Sequence, residues 1–435
     1  MASINTKAPE PKTHEGGSGW AQKTPLEALR RSVLSCFLWE NEFYEDGQSI
    51  ADRISENARK VSARDLANLA IEAREQGKLR HVPLLLLDTL LETGAGSRLP
   101  SETIARVIQR PDELTEMLAI YWRNGKRPLS AQLKRGLAAA FMKFDEYQLA
   151  KYNRDGAVKL RDVLFLTHAK PKDEAQAALW KRLVDGELAT PDTWEVGLSG
   201  GGGKKETFER LLREEKLGYL ALLRNLRNME QSKVDRDLVR NAIEARKGAH
   251  RVLPFRFVSA ARAAPSFEPS LDIAMKAAIA DTPALPGRTV VCVDTSASMY
   301  APLSQRSTVL RADAASALGS MINGDVRMIA FASGAIEVPA RRGMAGVDAI
   351  RSSMGVVGHE TNIRAAIDLA ETIGYDRLIV ITDEQTAGRI PAPKGKKGYM
   401  INVASAKNGV GYGPWVHIDG FSENTLKFIR EIEGV

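Results

Sequence analysis

The 435-residue chain holds only two cysteines, Cys36 and Cys292, both inside hydrophobic runs. That is too few for a disulfide framework or a cysteine-ligated zinc site. No stretch approaches the roughly 18 uncharged apolar residues that cross a bilayer, so a membrane span is excluded and a soluble protein is expected. Residues 1–20 contain Lys7, Glu10, Lys12 and Glu15 and no apolar centre, which argues against a secretory leader. The six histidines form no H-E-x-x-H or similar set, and no nucleophile elbow occurs. These absences lead to the expectation of a reduced, cytoplasmic setting and of no enzymatic activity, with no residue assigned a catalytic role.

Charge is present but unevenly placed. The formal net charge is +7, from 61 Lys+Arg and 54 Asp+Glu. Residues 151–262 alone hold 23 basic and 16 acidic side chains, so one stretch carries as much net charge as the whole chain. A local basic surface suits a polyanionic partner such as nucleic acid, and equally describes a solvated helical face.

Residues 1–24, rich in Pro, Gly, Lys, Ser and Thr, read as a mobile arm. From Pro25 onward the pattern is helical. Leu66, Leu69, Ala70 and Ala73 follow the one-sided spacing of an amphipathic helix, as do Leu133, Leu137, Ala140 and Phe141. Pro83, Pro111, Pro128 and Pro171 fall near expected helix starts, and Gly77, Gly94 and Gly186 near ends. Breaks every ~15–25 residues suggest helix pairs stacked in series over 25–280, without a clean sequence repeat. After a Pro-containing linker at 281–287 the character changes. Strands are expected at 288–294, 326–332, 377–382, 399–404 and 415–419, with helices at 304–322, 345–354, 362–373 and 423–432. Alternating strands and helices over 288–435 imply right-handed crossovers and a doubly wound α/β domain that binds ligands beyond the carboxyl ends of its strands.

Asp294, Ser296 and Ser298 stand at i, i+2 and i+4 just past the first of those strands, where an acid and two hydroxyls in a tight turn can converge on one hard cation. Thr361 lies in a loop before a helix, and Asp383 ends the strand RLIVIT. Two carboxylates and three hydroxyls, completed by water, suit Mg²⁺ or Mn²⁺. The constellation resembles the metal-ion-dependent adhesion site of the von Willebrand factor A domain. That resemblance implies an open coordination position which accepts a carboxylate from a protein partner. His359 and Glu360 depart from it, standing where that family commonly has two glycines. A serine-rich turn capping the next helix is the structural alternative.

Four segments, KYNRDGAVKLRDVLFLTHAKP at Lys151–Pro171, LALLRNLRNM at Leu220–Met229, VLPFRF at Val252–Phe257 and VDTSASM at Val293–Met299, resemble the TROVE family of Ro autoantigen proteins. The resemblance implies a ring of HEAT-like helical repeats closed by the A domain. It also implies binding of small noncoding Y-like RNAs on an outer basic surface, and of the single-stranded ends of misfolded RNAs within the ring. Lys151, Arg161 and His168 align with basic or RNA-contacting positions of that family, whereas Asp155 and Phe165 stand where relatives often carry basic residues. A monomer without membrane association is expected.

The residues support an RNA reading independently. Lys151, Arg154, Lys159, Arg161, Lys170 and Lys172 bracket one helix and can neutralise phosphates. His168 can stack on a base or donate to a phosphate, or simply be a hydrogen-bonded histidine at a helix end. Arg224 and Arg227, at i and i+3, either face RNA or pair with Glu214 or Glu230. The run Gly200 to Lys205 fails the phosphate-loop pattern, with Leu198 at the first Gly position and Lys205 at the final Ser/Thr position, and reads as a basic linker. Two other function classes remain: a metal-dependent protein-interaction module that docks acidic partners, and a metal-dependent nuclease. A nuclease site usually needs more carboxylates than are present here.

Overall fold

The computed structural model describes residues 24–34, 47–199, 203–252, 255–280, 282–302, 309–386, 390–394, 397–404, 414–420 and 424–434. The expected arm, but for Thr24, lies outside the described residues, as do Cys36 and the glycines at 200–202. By compactness the chain forms two units: Ala51–Leu217, and the residues up to Ile50 together with Gly218–Val435. The change of element type expected at 281–287 is a different division from this one. No helix among the described residues is long and apolar enough to cross a membrane.

The Ala51–Leu217 unit is built from helices in two rows. Ala63–Glu75, Leu99–Val107, Ala131–Phe141 and Leu160–Thr167 pack each on the next, while His81–Thr93, Pro111–Tyr121 and Glu146–Tyr152 form the second row. Alternate helices joined by short connections give the stacked-pair geometry expected of helical repeats. The spacing of apolar residues makes the faces: Leu66, Leu69, Ala70 and Ala73 are all buried on one helix, and Leu133, Leu137, Ala140 and Phe141 on another. Pro111 opens its helix, where a missing N–H costs nothing, and Gly186 closes Glu174–Asp185 in the left-handed conformation. Neighbouring helices of the first row approach closely at Gly136, where a Cβ would lie 2.7 Å from the Ile104 Cβ. One buried ion pair joins the rows: Arg74 reaches Glu113 at 2.6 Å, and the Glu113 side chain is fully buried. Burial pushes the Glu113 carboxyl up despite Arg74 and an N–H donated by Gln109.

In the other unit, helices Tyr219–Gln231, Arg236–Ala245, Phe255–Ala263 and Glu268–Ala280 precede a six-stranded sheet. Its strands are β1 (Leu285–Asp294), β2 (Gly324–Phe331), β3 (Ala335–Val338), β4 (Arg377–Thr382), β5 (Lys397–Asn402) and β6 (Val416–Asp419), in the order β3-β2-β1-β4-β5-β6. All neighbours are parallel except β2 and β3. The buried, β-branched runs of β1 and β4 are those of a parallel sheet covered on both faces.

Three expectations need correction. β3 was missed: a four-residue strand two of whose residues are exposed, at a sheet edge, lacks the long apolar run that marked the others. β1 begins at Leu285, inside the expected linker, with a register irregularity between Leu285 and Arg288 where Pro286 and Gly287 intervene. The helix expected over 304–322 spans Arg311–Gly319, and residues 303–308 lie outside the described residues.

The helices before the sheet pack against the helices that accompany it, which is why compactness does not divide the chain at 281–287. Phe255–Ala263 packs against Arg311–Gly319, and Arg262 pairs with Asp348 at 2.6 Å. The Met344 N–H donates to the Asp272 carboxylate. At the other end, the helix Pro25–Leu34 packs against β6, and a Cβ on Gly420 would come within 2.9 Å of the Leu34 carbonyl oxygen.

Candidate functional sites

The chain leaves β1 toward β2 on one side, while β4 flanks β1 on the other. The carboxyl ends of β1 and β4 therefore meet at a topological switch point, where such sheets bind ligands. Val293 is in register with Ile381, so Asp294 and Thr382 follow side by side. The Thr382 hydroxyl donates to Asp294 Oδ2 at 2.5 Å, and the Ser296 N–H donates to Oδ1 at 2.9 Å. Ser296 Oγ and Ser298 Oγ are 3.3 Å apart. Asp294, Ser296, Thr361 and Asp383 are fully buried and Ser298 nearly so. Burial, and then the Asp383 carboxylate, push the Asp294 carboxyl well above its ordinary range. Two buried acids, Asp383 raising Asp294, beside three hydroxyls form a place that a hard divalent cation would neutralise.

The loops that carry these groups are tied by backbone bonds. The Ala297 N–H donates to the His359 carbonyl. Ser333 Oγ accepts N–H bonds from His359 and Glu360, and the Thr386 hydroxyl donates to the Thr361 carbonyl. Gly358 has φ of 92°, and a Cβ there would lie 2.4 Å from Ser333 Oγ. His359 and Glu360, the departure from the glycine pair, have exposed side chains, so the loop uses their backbones. Thr382, Ser333 and Thr386 escaped the sequence reading. The threonine that ends RLIVIT offered a signal, but nothing local marks Ser333. Among the described residues, no three His, Cys, Asp or Glu side chains form a cluster that could hold a metal ion. The donor set is instead rich in hydroxyls and backbone-fixed, and it fits Mg²⁺ or Mn²⁺ completed by water.

The second candidate surface is in the Ala51–Leu217 unit. The helix Leu160–Thr167 buries Leu160, Val163, Leu164 and Thr167 and exposes Arg161 and Phe165. It ends at His168 with φ of 52°, where the His168 N–H donates to the Phe165 carbonyl and the Ala169 N–H to the Leu164 carbonyl. Arg154, His168 and Lys170 are exposed, and their side chains have no hydrogen bond or ion pair among the described residues. Arg161 comes only within 3.9 Å of Asp162. Lys151 lies half-buried, 5.9 Å from the ring centres of Tyr147 and Tyr152. Two of the candidate cations are less available. Lys159 binds Asp155 at 2.6 Å, holding that carboxyl below its usual range, and Lys172 lies 4.0 Å from Asp173.

Arg224 and Arg227 belong to the other unit, exposed on Tyr219–Gln231 with Leu222, Leu223 and Leu226 buried on its opposite face. Arg227 Nε donates to the Ala263 carbonyl, and Arg224 forms no ion pair among the described residues. Glu214 is taken by Arg210 and Lys216. Arg224 and burial together hold the Arg256 guanidinium below its ordinary range, burial being the larger cause. Gly203, Lys204 and Lys205, the described end of the glycine run, cap and open the helix Lys204–Arg213.

Comparison with known proteins bears on part of these surfaces. Residues 170–305 match the TROVE domain, a span that holds Lys170, Lys172, Arg224, Arg227 and the Asp294–Ser298 turn. Among solved structures, the chain is similar to the crystal structure of the Deinococcus radiodurans Ro (RSR) protein. The match has 18% sequence identity and a TM-score of 0.61, and covers 92% of this chain and 97% of that one. At that identity the likeness is one of fold.

Proposed function

Because this chain carries a TROVE domain within the fold of a Ro protein, we propose that it is a non-catalytic RNA-binding protein of the cytoplasm. It scaffolds a small noncoding, Y-like RNA and takes up single-stranded ends of misfolded RNAs. The observation that carries the reading is the group of exposed cations on and beside one helix: Arg154 and Lys170 without an ion pair among the described residues, and Arg161 no nearer than 3.9 Å to Asp162. Phosphate contacts made by such groups bring affinity and salt dependence, with little base information. With Lys151 added, about four phosphates are neutralised, so log K falls against log[salt] with a slope of about −2.8 for single strands and −3.6 for duplex. Replacing Lys151, Arg161 and Lys170 by alanine flattens that slope by about two to three units. Fluorescence anisotropy with a labelled RNA across a salt series measures it. A slope unchanged in the triple variant overturns this placement of the RNA, and sequencing of copurified RNA identifies the ligand.

Uptake of ends rests on Arg224 and Arg227. A stem with a 3′ single-stranded tail is expected to bind more tightly than the same stem blunt-ended, and Arg224→Glu with Arg227→Glu to remove only the tail-dependent part. Equal affinity for tailed, blunt and circular RNAs would refute it.

Asp294, Ser296, Ser298, Thr361 and Asp383 would hold Mg²⁺ or Mn²⁺, which when bound supplies a point charge able to take a carboxylate from a protein partner. The hydroxyl-rich donor set favours this docking role over hydrolysis. If purified protein carries no RNA and binds none, a metal-dependent interaction module becomes the better reading.

A further inference from the structure

Phe165 is 60% exposed, more than any other large aromatic side chain among the described residues. It adds nothing to the core of its unit, because Leu160, Val163, Leu164 and Thr167 form the buried face of the same helix. Its neighbours one turn away are Arg161 at i−4 and His168 at i+3, both exposed. The one acid on that turn, Asp162, is half-buried, and its carboxylate accepts the Lys159 N–H at 2.8 Å, which draws it toward the helix start. What remains facing solvent is a row of guanidinium, phenyl ring and imidazole about 10 Å long at 1.5 Å rise per residue, with Lys170 just beyond.

We infer that Phe165 is a stacking platform for an unpaired nucleobase, with Arg161 and Lys170 holding the flanking phosphates and His168 bordering the base. The inference rests on the RNA-binding reading above and gives that surface a preference. Phosphate contacts are blind to base pairing, whereas an aromatic face can be used only by a base free of its own helix. The charge around the ring selects the occupant: a solvent-facing ring between partner-poor cations suits a polyanion that also has flat apolar faces.

The test uses the full chain and two RNA hairpins, identical except for one bulged 2-aminopurine. The bulged hairpin is expected to bind the unaltered protein roughly 5- to 150-fold more tightly than the paired one, the range for one base stacked on an aromatic ring. Phe165→Ala abolishes that preference and the fluorescence quenching of the bulged base. It leaves the salt slope unchanged, since no charge is removed. Phe165→Trp retains both. Because Phe165 lies outside the core, Phe165→Ala is expected to unfold at the same temperature as the unaltered protein. Salt-dependent RNA binding without any preference for the bulge overturns the stacking site alone. Failure to bind either hairpin overturns the RNA-binding reading beneath it. An acidic peptide that displaces the hairpins and loses its affinity in Phe165→Ala would assign the ring to a protein partner and overturn the nucleobase.

Discussion

The cradle at the ends of β1 and β4 and the helix Leu160–Thr167 handle charge in opposite ways. In the cradle the acids are buried and held by neighbouring hydroxyls and N–H groups. On the helix the cations are solvated and several have no acid beside them. The contrast follows from ligand size. A compact dication is held by oxygens fixed before it arrives, at a desolvation cost that the ion itself offsets. A polyanion spreads its charge over many phosphates and is gathered by long side chains that stay hydrated until contact.

The largest expected effect tests whether burial, rather than the region, makes charge costly to disturb. Glu113→Ala leaves Arg74 unpaired in the helical stack and is expected to lower stability by about 3–5 kcal/mol, whereas Lys170→Ala changes it by less than about 0.5 kcal/mol. Urea unfolding of the two variants checks the difference. Next comes Asp294→Ala, which removes one acid of the cradle. At a metal concentration 100 times Kd the unaltered protein gains about 2.7 kcal/mol from binding, and the variant is expected to lose that gain while keeping its RNA affinity. Thermal unfolding with and without Mg²⁺ reads the first part. Loss of RNA by a folded variant would mean that the two regions are coupled. The smallest effect is at His168. His168→Gly suits the left-handed conformation, so stability is expected to hold or rise by up to about 1 kcal/mol while RNA affinity falls severalfold. A fall in stability would make the imidazole structural.

Much of the sheet was legible because its central strands announce themselves. TVVCVD and RLIVIT are buried throughout, the first ending on Asp294 and the second just before Asp383, so both acids could be placed from the sequence alone. The helical rows were legible for the same reason, through one-sided apolar spacing. β3 was not, because an edge strand is specified by its pairing with Met328–Phe331 rather than by its own composition. Ser333 and Thr386 were invisible because their work is done on backbone atoms 26 and 25 residues away in sequence. The candidate cations could be named as residue types, but which were already neutralised could not. Lys159 and Arg161 differ by two positions, and only the folded chain brings Asp155 to one and leaves the other exposed.

The packing of Pro25–Leu34 against β6 bears on how the chain is made. The helix is synthesised well before the strand it covers, which follows roughly 380 residues later, a delay of about 20–80 s at usual elongation rates. Throughout that interval Leu29 and Val33, buried in the finished protein, have no β6 to cover. The stacked helices of Ala51–Leu217 make their contacts among near neighbours and can fold as they emerge. The Ala51–Leu217 stack can therefore be complete before the contact between Pro25–Leu34 and β6 forms.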